Sequence, residues 1–429
     1  MLPTKNLNMI FATLLGNIFE FYDFIIFGFM LKYIQNIFLP DYLTTSKYIL
    51  SFLLFSIGYL GRPIGAYLLG KLGDRQGRRI SIASSIILLT VSTCLIGLLP
   101  TYQQIGIAAP ILLIILRLVQ NFSVSVEQVG GALFLIESFA KNKGYLVSSL
   151  IFGTVYLGHV IGLVLMLVLV NSLSENQIVA WGWRVPFLLA LPIGCITAYL
   201  RLKLSESEQF LRYKNRSAAK DNILNKHDVI SVLGSFLALS GSAYLTMIYI
   251  PNMLNFHDVL SAQQIFKFTI LISLIVFVTA MICGVIAEKG LINGLRLHNA
   301  ALLGSILFAV PMYILLYSGR AEFILFAHLF SAILLGMQAG TIFGTIFDCY
   351  AFANRYTVIN LGFNLAMTFF GGLTPFVVAY LSETVHVLSP AVYLMVLSSV
   401  SLVFVNWRFL DKLGIVDSVI SVKPSETGR

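Results

Sequence analysis

The chain is built from apolar runs of bilayer-spanning length that are separated by short polar segments. A helix that crosses a bilayer needs roughly 20 mostly apolar residues, and twelve segments meet that requirement. They lie near 8–33, 48–70, 79–99, 104–137, 145–170, 184–204, 229–253, 264–287, 298–318, 321–347, 355–381 and 389–410. Because lipid offers the backbone no hydrogen-bond partners, the pattern predicts an all-α membrane protein with twelve transmembrane helices.

Composition excludes a water-soluble globule. Hydrophobic residues make up 58% of the chain and charged residues 11%, and the mean hydropathy is +0.88, which leaves too little polar surface to cover a soluble fold. The net charge of +9 comes from basic residues in short loops, so membrane topology explains it better than nucleic-acid binding. The four cysteines lack metal-ligand spacing, and we expect no metal site.

One long polar stretch, at about 205–228, divides the runs into six and six. We therefore predict an N-terminal six-helix bundle at 1–204, a cytoplasmic linker at 205–228 and a C-terminal six-helix bundle at 229–412. A short cytoplasmic tail would follow at 413–429. The first apolar run has no small-residue cleavage site after it, so we expect a membrane helix there and not a cleaved signal.

A cationic turn at 70–79, with four basic residues and Asp74, joins the second run to the third. An even number of crossings places both termini on one side of the membrane. If that side is the cytoplasm, the turn, the linker and the tail lie there, and the opposite loops keep only Lys32, Lys47, Arg184, Lys267 and Arg320. Since cytoplasmic loops are rich in Lys and Arg, we predict cytoplasmic termini.

The two halves carry a faint internal repeat. Gly70, Asp74 and Arg75 correspond to Gly284, Glu288 and Lys289 at a constant offset of 214 residues, each time after the second helix of a half. Duplicated halves are typical of membrane transporters, in which the substrate path runs between them.

Several motifs resemble the metabolite:proton symporter family of the major facilitator superfamily, which includes proline/betaine, α-ketoglutarate, citrate and shikimate carriers. They are Gly16-Asn17-Ile18-Phe19-Glu20-Phe21-Tyr22-Asp23-Phe24, Gly61-Arg62-Pro63-Ile64-Gly65, Arg117-Leu118-Val119-Gln120, Trp181-Gly182-Trp183-Arg184-Val185-Pro186-Phe187, Arg355-Tyr356-Thr357 and Gly371-Gly372-Leu373-Thr374-Pro375. The resemblance covers most of the chain and implies the major facilitator fold. The fourth run departs from the family pattern at Asn121, Ser125 and Val126, so no particular relative's substrate is transferred.

Ionisable residues inside the apolar runs are the first functional candidates, because charge at bilayer depth is costly without a partner or a wet cavity. Glu20 and Asp23 lie three residues apart on one helix face, and Glu127 lies on the fourth run. Paired, partly desolvated carboxylates can take up and release a proton. We predict that Glu20, Asp23 and Glu127 couple transport to protons; a structural acid pair held by an arginine is the alternative.

A second group is predicted to bind the substrate, namely Arg117, Tyr22, Gln120, His159 and Asn364. A guanidinium that faces the cavity can hold a carboxylate through two hydrogen bonds, which favours small organic acids and zwitterions. Permanent pairing of Arg117 with Asp23 or Glu127 is the alternative interpretation. His159 can equally be a packing residue.

A third group lies where cytoplasmic helix ends meet. We predict that these residues form a gate, with surface anchoring as the alternative: Asp74, Arg75, Arg78, Glu137, Glu288, Asp348 and Arg355. Such residues would control the conformational equilibrium and not the choice of substrate.

The sequence therefore predicts a secondary transporter that imports a small carboxylate or zwitterion, such as an amino acid, a betaine or an organic acid, by proton symport. A drug or metabolite antiporter and a non-transporting sensor are the alternatives. The motifs of common hydrolases and phosphate-binding enzymes are absent, so we expect no enzymatic activity. We further expect no cofactor besides the proton gradient, no nucleic-acid partner, a monomer and a bacterial inner-membrane location.

Overall fold

The computed structural model describes residues 4–40, 47–76, 78–138, 143–203, 226–349 and 355–412. It confirms the predicted fold class: twelve of its helices, alone or in consecutive segments, are long and apolar enough to cross a membrane. We number these α1 to α12 and call the face that carries the 70–79 turn the inner face. Most of the predicted linker lies outside the described residues, so the domain boundaries stay predictions.

In the first half, α1 is Thr4–Phe29, α3 is Arg78–Leu98, α5 is Gly144–Ser172 and α6 is Arg184–Leu202. Two helices are composite. α2 comprises Lys47–Ile57, a 3-10 turn at Gly58–Leu60 and Gly61–Gln76, and α4 comprises Ala108–Val124 and Glu127–Ser138. Shorter helical segments at the outer face are Leu31–Phe38, Tyr102–Ile105, Glu175–Gln177 and the π-helical turn Ile178–Gly182.

In the second half, α8 is Ala262–Glu288, α9 is Gly294–Leu316, α10 is Ala321–Ile346 and α12 is Ser389–Lys412. A 3-10 turn at Phe347–Cys349 follows α10. α7 and α11 each contain a π-helical turn: α7 runs Lys226–Tyr244, Leu245–Tyr249 and Ile250–Phe256, and α11 runs Arg355–Met367, Thr368–Gly372 and Thr374–Thr384.

The halves meet along α1, α2, α4 and α5 of the first half and α7, α8, α10 and α11 of the second. On the outer side, Lys32 Nζ lies 2.9 Å from Asp258 Oδ1, and Asn252 Nδ2 donates to the Gly28 carbonyl at 2.9 Å. On the inner side, Ser148 Oγ donates to the Ala339 carbonyl at 2.9 Å. Contacts on both sides of the bilayer centre make this an occluded arrangement of the two halves.

Candidate transport site

The two acids of α1 each face a buried arginine from another helix. Arg62 of α2 donates from Nη2 to Glu20 Oε1 at 2.8 Å, and both side chains are at most 3% exposed. The Arg62 Nε atom donates to Asn121 Oδ1 at 3.4 Å. Because a buried charge is stable only when it is paired, the ion pair with Arg62 allows the Glu20 carboxylate to be buried within the membrane-spanning part of α1.

Asp23 lies in a network that α3 and α4 supply. Thr93 Oγ1 donates to Asp23 Oδ1 at 2.8 Å, and Gln120 Nε2 donates to Oδ1 and Oδ2 at 3.0 and 3.2 Å. The Arg117 guanidinium is 3.8 Å from Asp23 Oδ2 and donates to Gln120 Oε1 at 2.8 Å. Gln120 therefore bridges the acid and the arginine, which form a looser pair than Glu20 and Arg62.

Of the two partners left open for Arg117, the structure selects Asp23. Arg117 also lies over the Phe27 ring, with Cζ 3.8 Å from the ring centroid, so an aromatic face replaces part of its lost hydration. Glu127 follows Arg117 by ten residues on α4, about 15 Å along a helix, and pairs elsewhere.

Glu127 pairs with Arg201 of α6. Arg201 Nη2 is 2.7 Å from Glu127 Oε2, and Ser85 of α3 donates a hydrogen bond to Oε1. The guanidinium also crosses α1 at Gly16, where an added Cβ would lie only 1.9 Å from Arg201 Nη2. Glycine at position 16 therefore leaves room for the guanidinium in this position, and an alanine there would force Arg201 to shift.

Sequence reasoning missed two of these three arginines as site residues. In the sequence, Arg62 stands out only as part of the Gly61-Arg62-Pro63 motif, and Arg201 lies in an apolar run near the linker. The available signal was charge balance, because every acid at bilayer depth requires a cation. Sequence alone does not assign the partners, since the contacting helices are far apart along the chain.

A small cavity separates the first two ion pairs. Its lining comes from α1, α2 and α4 and comprises Glu20, Asp23, Phe24, Tyr59, Arg62, Arg117, Gln120, Asn121 and Val124. The free space is about 10 Å³, close to the minimum for one water molecule. Three polar atoms of its lining residues have no hydrogen-bond partner among the described residues: Glu20 Oε2, Arg62 Nη1 and Arg117 Nε.

Four aromatic rings from both halves pack beside the cavity. The Tyr244 ring of α7 lies 5.3 Å from Phe24 and 5.4 Å from Tyr59, both edge-on. Phe55 of α2 lies 5.8 Å from Phe24 and 5.4 Å from Tyr59. We call Phe24, Phe55, Tyr59 and Tyr244 the aromatic cluster; it gives the site electron-rich faces next to its charges.

The remaining substrate-binding candidates lie outside the cavity lining. Tyr22 donates its hydroxyl to the Pro186 carbonyl at 2.9 Å, and Asn364 Nδ2 donates to the Ser125 carbonyl at 2.7 Å, which links α11 to α4. His159 stacks on Phe24 at 5.3 Å, and neither ring nitrogen has a partner in the described part of the chain. Their substrate-binding roles stay predictions.

Of the predicted gate residues, only Glu288 has a described side chain. Its Oε2 accepts a hydrogen bond from the Leu146 backbone N–H at 3.1 Å, so the end of α8 caps the start of α5 across the two halves. The carboxylate also faces the positive end of the α5 dipole. The side chains of Asp74, Arg75, Arg78, Glu137, Asp348 and Arg355 lie outside the described residues.

Comparison with known proteins places this geometry in a family. Residues 9–232 match the profile of the sugar (and other) transporter family. The proline/betaine transporter of Salmonella typhimurium is 31% identical over 91% of this chain and 81% of its own. The putative proline/betaine transporter of Staphylococcus aureus strain MSSA476 is 31% identical over 94% of this chain and 88% of its own. The chain belongs to the major facilitator superfamily.

Solved structures give the same fold. A crystal structure of a D-xylose-proton symporter superposes with a TM-score of 0.72 at 15% identity, covering 94% of this chain and 97% of that one. A proton:xylose symporter bound to 6-bromo-6-deoxy-D-glucose gives 0.75 at 13% identity, covering 95% and 96%. At such low identity these likenesses show the major facilitator fold and leave the cargo open.

Proposed function

We propose that this major facilitator protein is a secondary active transporter that imports a small zwitterion, an amino acid or a betaine, together with a proton by alternating access. The observation that carries the proposal is the cavity between Arg62, Arg117 and Glu20. In this occluded arrangement it has room for about one water molecule, so a substrate would enter when the two halves part. The cavity offers unused donors on two guanidinium groups and an unused acceptor on a carboxylate. A zwitterion supplies the complementary carboxylate and cationic centre.

The coupling follows from the Asp23 network. While Asp23 is ionised, the carboxylate attracts the Arg117 guanidinium, 3.8 Å away. A proton on Asp23 removes that attraction, and Arg117 is then free to bind the substrate carboxylate through two hydrogen bonds. Proton and substrate therefore favour each other's binding, as symport requires.

The cationic end of the substrate would face Glu20 and the aromatic cluster. Arginine guanidinium groups already lie over these rings: Arg62 Cζ is 5.4 Å from the Tyr59 centroid and Arg117 Cζ is 5.9 Å from that of Phe55. An ammonium with methyl or methylene substituents suits the same aromatic faces. The proline/betaine relatives support this choice over a simple organic acid, which lacks a cationic end.

We also propose the membrane location of the transporter and the side on which its termini lie. Positive residues in the 70–79 turn support cytoplasmic termini, and bacterial relatives support the inner membrane. We further propose that the protein acts as a monomer and requires no cofactor, with the proton gradient as its energy source.

Uptake into proteoliposomes tests the proposal. The panel contains proline, glycine betaine, citrate, α-ketoglutarate and xylose, each with an inward proton gradient, with an outward one and with none. We expect gradient-driven accumulation of proline or glycine betaine. Accumulation of only the organic acids or the sugar would overturn the zwitterion assignment, accumulation driven by an outward gradient would indicate an antiporter, and no transport of any kind would support a sensor.

A further inference from the structure

The three buried ion pairs of the first half are aligned along one face of α1. Gly16, Glu20 and Asp23 follow each other at spacings of four and three residues, which places them on one side of a helix at steps of about 6 and 4.5 Å. Arg201 and Glu127 meet at Gly16, Arg62 meets Glu20, and Arg117 meets Asp23. We call this series the α1 charge stripe.

The inner end of the stripe differs from the other two pairs. Neither Glu127 nor Arg201 lines the cavity, although both are about 2% exposed. The Arg201 guanidinium has a second anchor, because Nη2 also donates to the Thr13 carbonyl at 3.3 Å. Arg201 therefore keeps one hydrogen bond while Glu127 is neutral, but its charge then lacks a paired anion, which favours the return of Glu127 to the ionised form.

We propose that Glu127 is the inner station of a proton route that runs along the α1 charge stripe and leaves the substrate path at Glu20. Arg201 is its positioning residue. This inference rests on the proposed proton symport. It assigns the proton a site about one helical turn inward from Glu20, at a place that the substrate does not reach.

The transfer step balances in protons and charge. A protonated Glu20 carboxyl loses its O–H bond while a Glu127 carboxylate gains one. A water would relay the proton, because the levels of the stripe at Glu20 and at Gly16, where Glu127 meets Arg201, lie about 6 Å apart along α1. Glu20 returns to its ion pair with Arg62, and Arg201 shifts onto the Thr13 carbonyl. Glu127 then releases the proton towards the inner face and recaptures Arg201.

Few other ionisable groups among the described residues face Glu127. Arg201 faces it from α6 and Ser85 from α3, while α1 presents Gly16 and the Thr13 carbonyl. From the second half, α11 brings Tyr356 close to Gly130, one turn along α4. Glu127 is thus the acid of this group, and Glu20 is the next acid along the stripe.

The test compares two readouts in proteoliposomes: substrate accumulation driven by a proton gradient, and substrate exchange without one. Glu127→Gln cannot carry a proton, so we expect the ratio of accumulation to exchange to fall by about tenfold, within the usual range of coupling between sites. Glu127→Gln combined with Arg201→Gln leaves no unpaired buried cation and should show the same fall. An unchanged ratio in either variant, or equal loss of both readouts in both, overturns the proposal.

Gly16→Ala tests the role of Arg201 without changing a charge. Its Cβ would displace the guanidinium, so we expect the ratio to fall and the pH profile of accumulation to change. The control is Gly130→Ala on α4, where the nearest atom lies at an ordinary 3.6 Å. Equal behaviour of the two alanine variants would contradict the role of Arg201. If the wild-type protein shows no proton-driven accumulation, the proposed function itself fails. If the wild-type protein accumulates substrate and the variants match it, only the inner station fails.

Discussion

At the residue scale, the Asp23 side chain determines whether the protein accumulates substrate with the proton gradient or only exchanges substrate across the membrane. Its carboxylate is the shared acceptor of Thr93 and Gln120 and the partner of Arg117. Asparagine is close in shape and can accept from the same neighbours, yet it neither binds a proton nor attracts Arg117 as an anion. Replacing one carboxylate oxygen by an amide nitrogen therefore removes proton binding at position 23 while it keeps the shape of the side chain.

We predict that Asp23→Asn reduces proton-driven accumulation by about tenfold or more, while the protein remains in the membrane. The measurement is substrate uptake against the substrate's own concentration gradient, together with the amount of transporter in the membrane of the same vesicles. Glu322→Gln, which changes an exposed acid in the first turn of α10, is the matched control. Undiminished accumulation in Asp23→Asn would remove Asp23 from the coupling mechanism.

Asp258 on the outer face gives the opposite case, an acid that should not sense physiological pH. The hydrogen bond and charge of Lys32 lower the pKa of the Asp258 carboxyl below its ordinary value of 3.8. The stabilisation by this pair is present above pH 3.8 and is lost only as the pH falls through the lowered pKa. From pH 5 to 8 the contact stays constant.

We therefore expect the ratio of uptake by Asp258→Asn to uptake by the wild-type protein to be flat between pH 5 and 8. Initial rates of exchange across that range provide the measurement. A ratio that changes with pH inside the window would show that the outer contact titrates during transport.

At the element scale, the π-helical turns of α7 and α11 bring the second half against the cavity. The turn Thr368–Gly372 places Gly372 so close to α2 that an added Cβ would lie 2.0 Å from the Tyr59 ring. Ser56 Oγ donates to the Gly372 carbonyl at 2.6 Å. Since π-turns are local irregularities that frequently occur at functional sites, we interpret this one as a joint of the outer closure.

We predict that Gly372→Ala opens the outer side, because a methyl group against Tyr59 costs about 1–3 kcal/mol in the closed arrangement. Val124→Cys in the cavity lining, in a background without the four native cysteines, reports the opening. Labelling from outside by a membrane-impermeant maleimide should rise by about 5- to 150-fold. Gly70→Ala, with no atom within 4 Å of the new Cβ, should leave labelling unchanged; equal labelling of both would contradict the joint.

The sequence could predict the apolar run at 355–381 but not its π-turn. At this π-turn the Tyr59 ring lies against Gly372 and the Tyr244 ring against Gly371, and both rings come from helices that are distant along the chain, so the packing there could not be predicted from the local sequence. For the same reason the acids could be found from the sequence, whereas the pairing of Arg201 with Glu127 could not. The twelve spans were predictable because lipid enforces length and hydropathy locally.

At the scale of the whole molecule, the halves have different chemistry. All charged residues found buried in the described structure belong to the first half: Glu20, Asp23, Arg62, Arg117, Glu127 and Arg201. The buried polar residues described in the second half are neutral or histidine, such as Asn252, His298, His328 and Asn364. We interpret the first half as the site of charge and proton handling and the second as the moving wall that closes the cavity.

Two contacts between the halves should then act in opposite directions. Asp258→Asn weakens the outer contact with Lys32, and Glu288→Gln weakens the inner cap on α5. We expect outside labelling of Val124→Cys to rise in the first and fall in the second, each by no more than about fivefold, because single contacts near the surface contribute little to such an equilibrium. Changes in the same direction would contradict a rocking motion about the cavity.

Direct observation of the proton tests the central claim that proton and zwitterion cross together. Proteoliposomes that contain a pH-sensitive dye are given proline or glycine betaine outside, with no imposed proton gradient and with potassium and valinomycin to hold the membrane potential. We predict that substrate addition acidifies the interior in wild-type vesicles and not in Asp23→Asn vesicles. Substrate entry without acidification in the wild-type protein would contradict the claim.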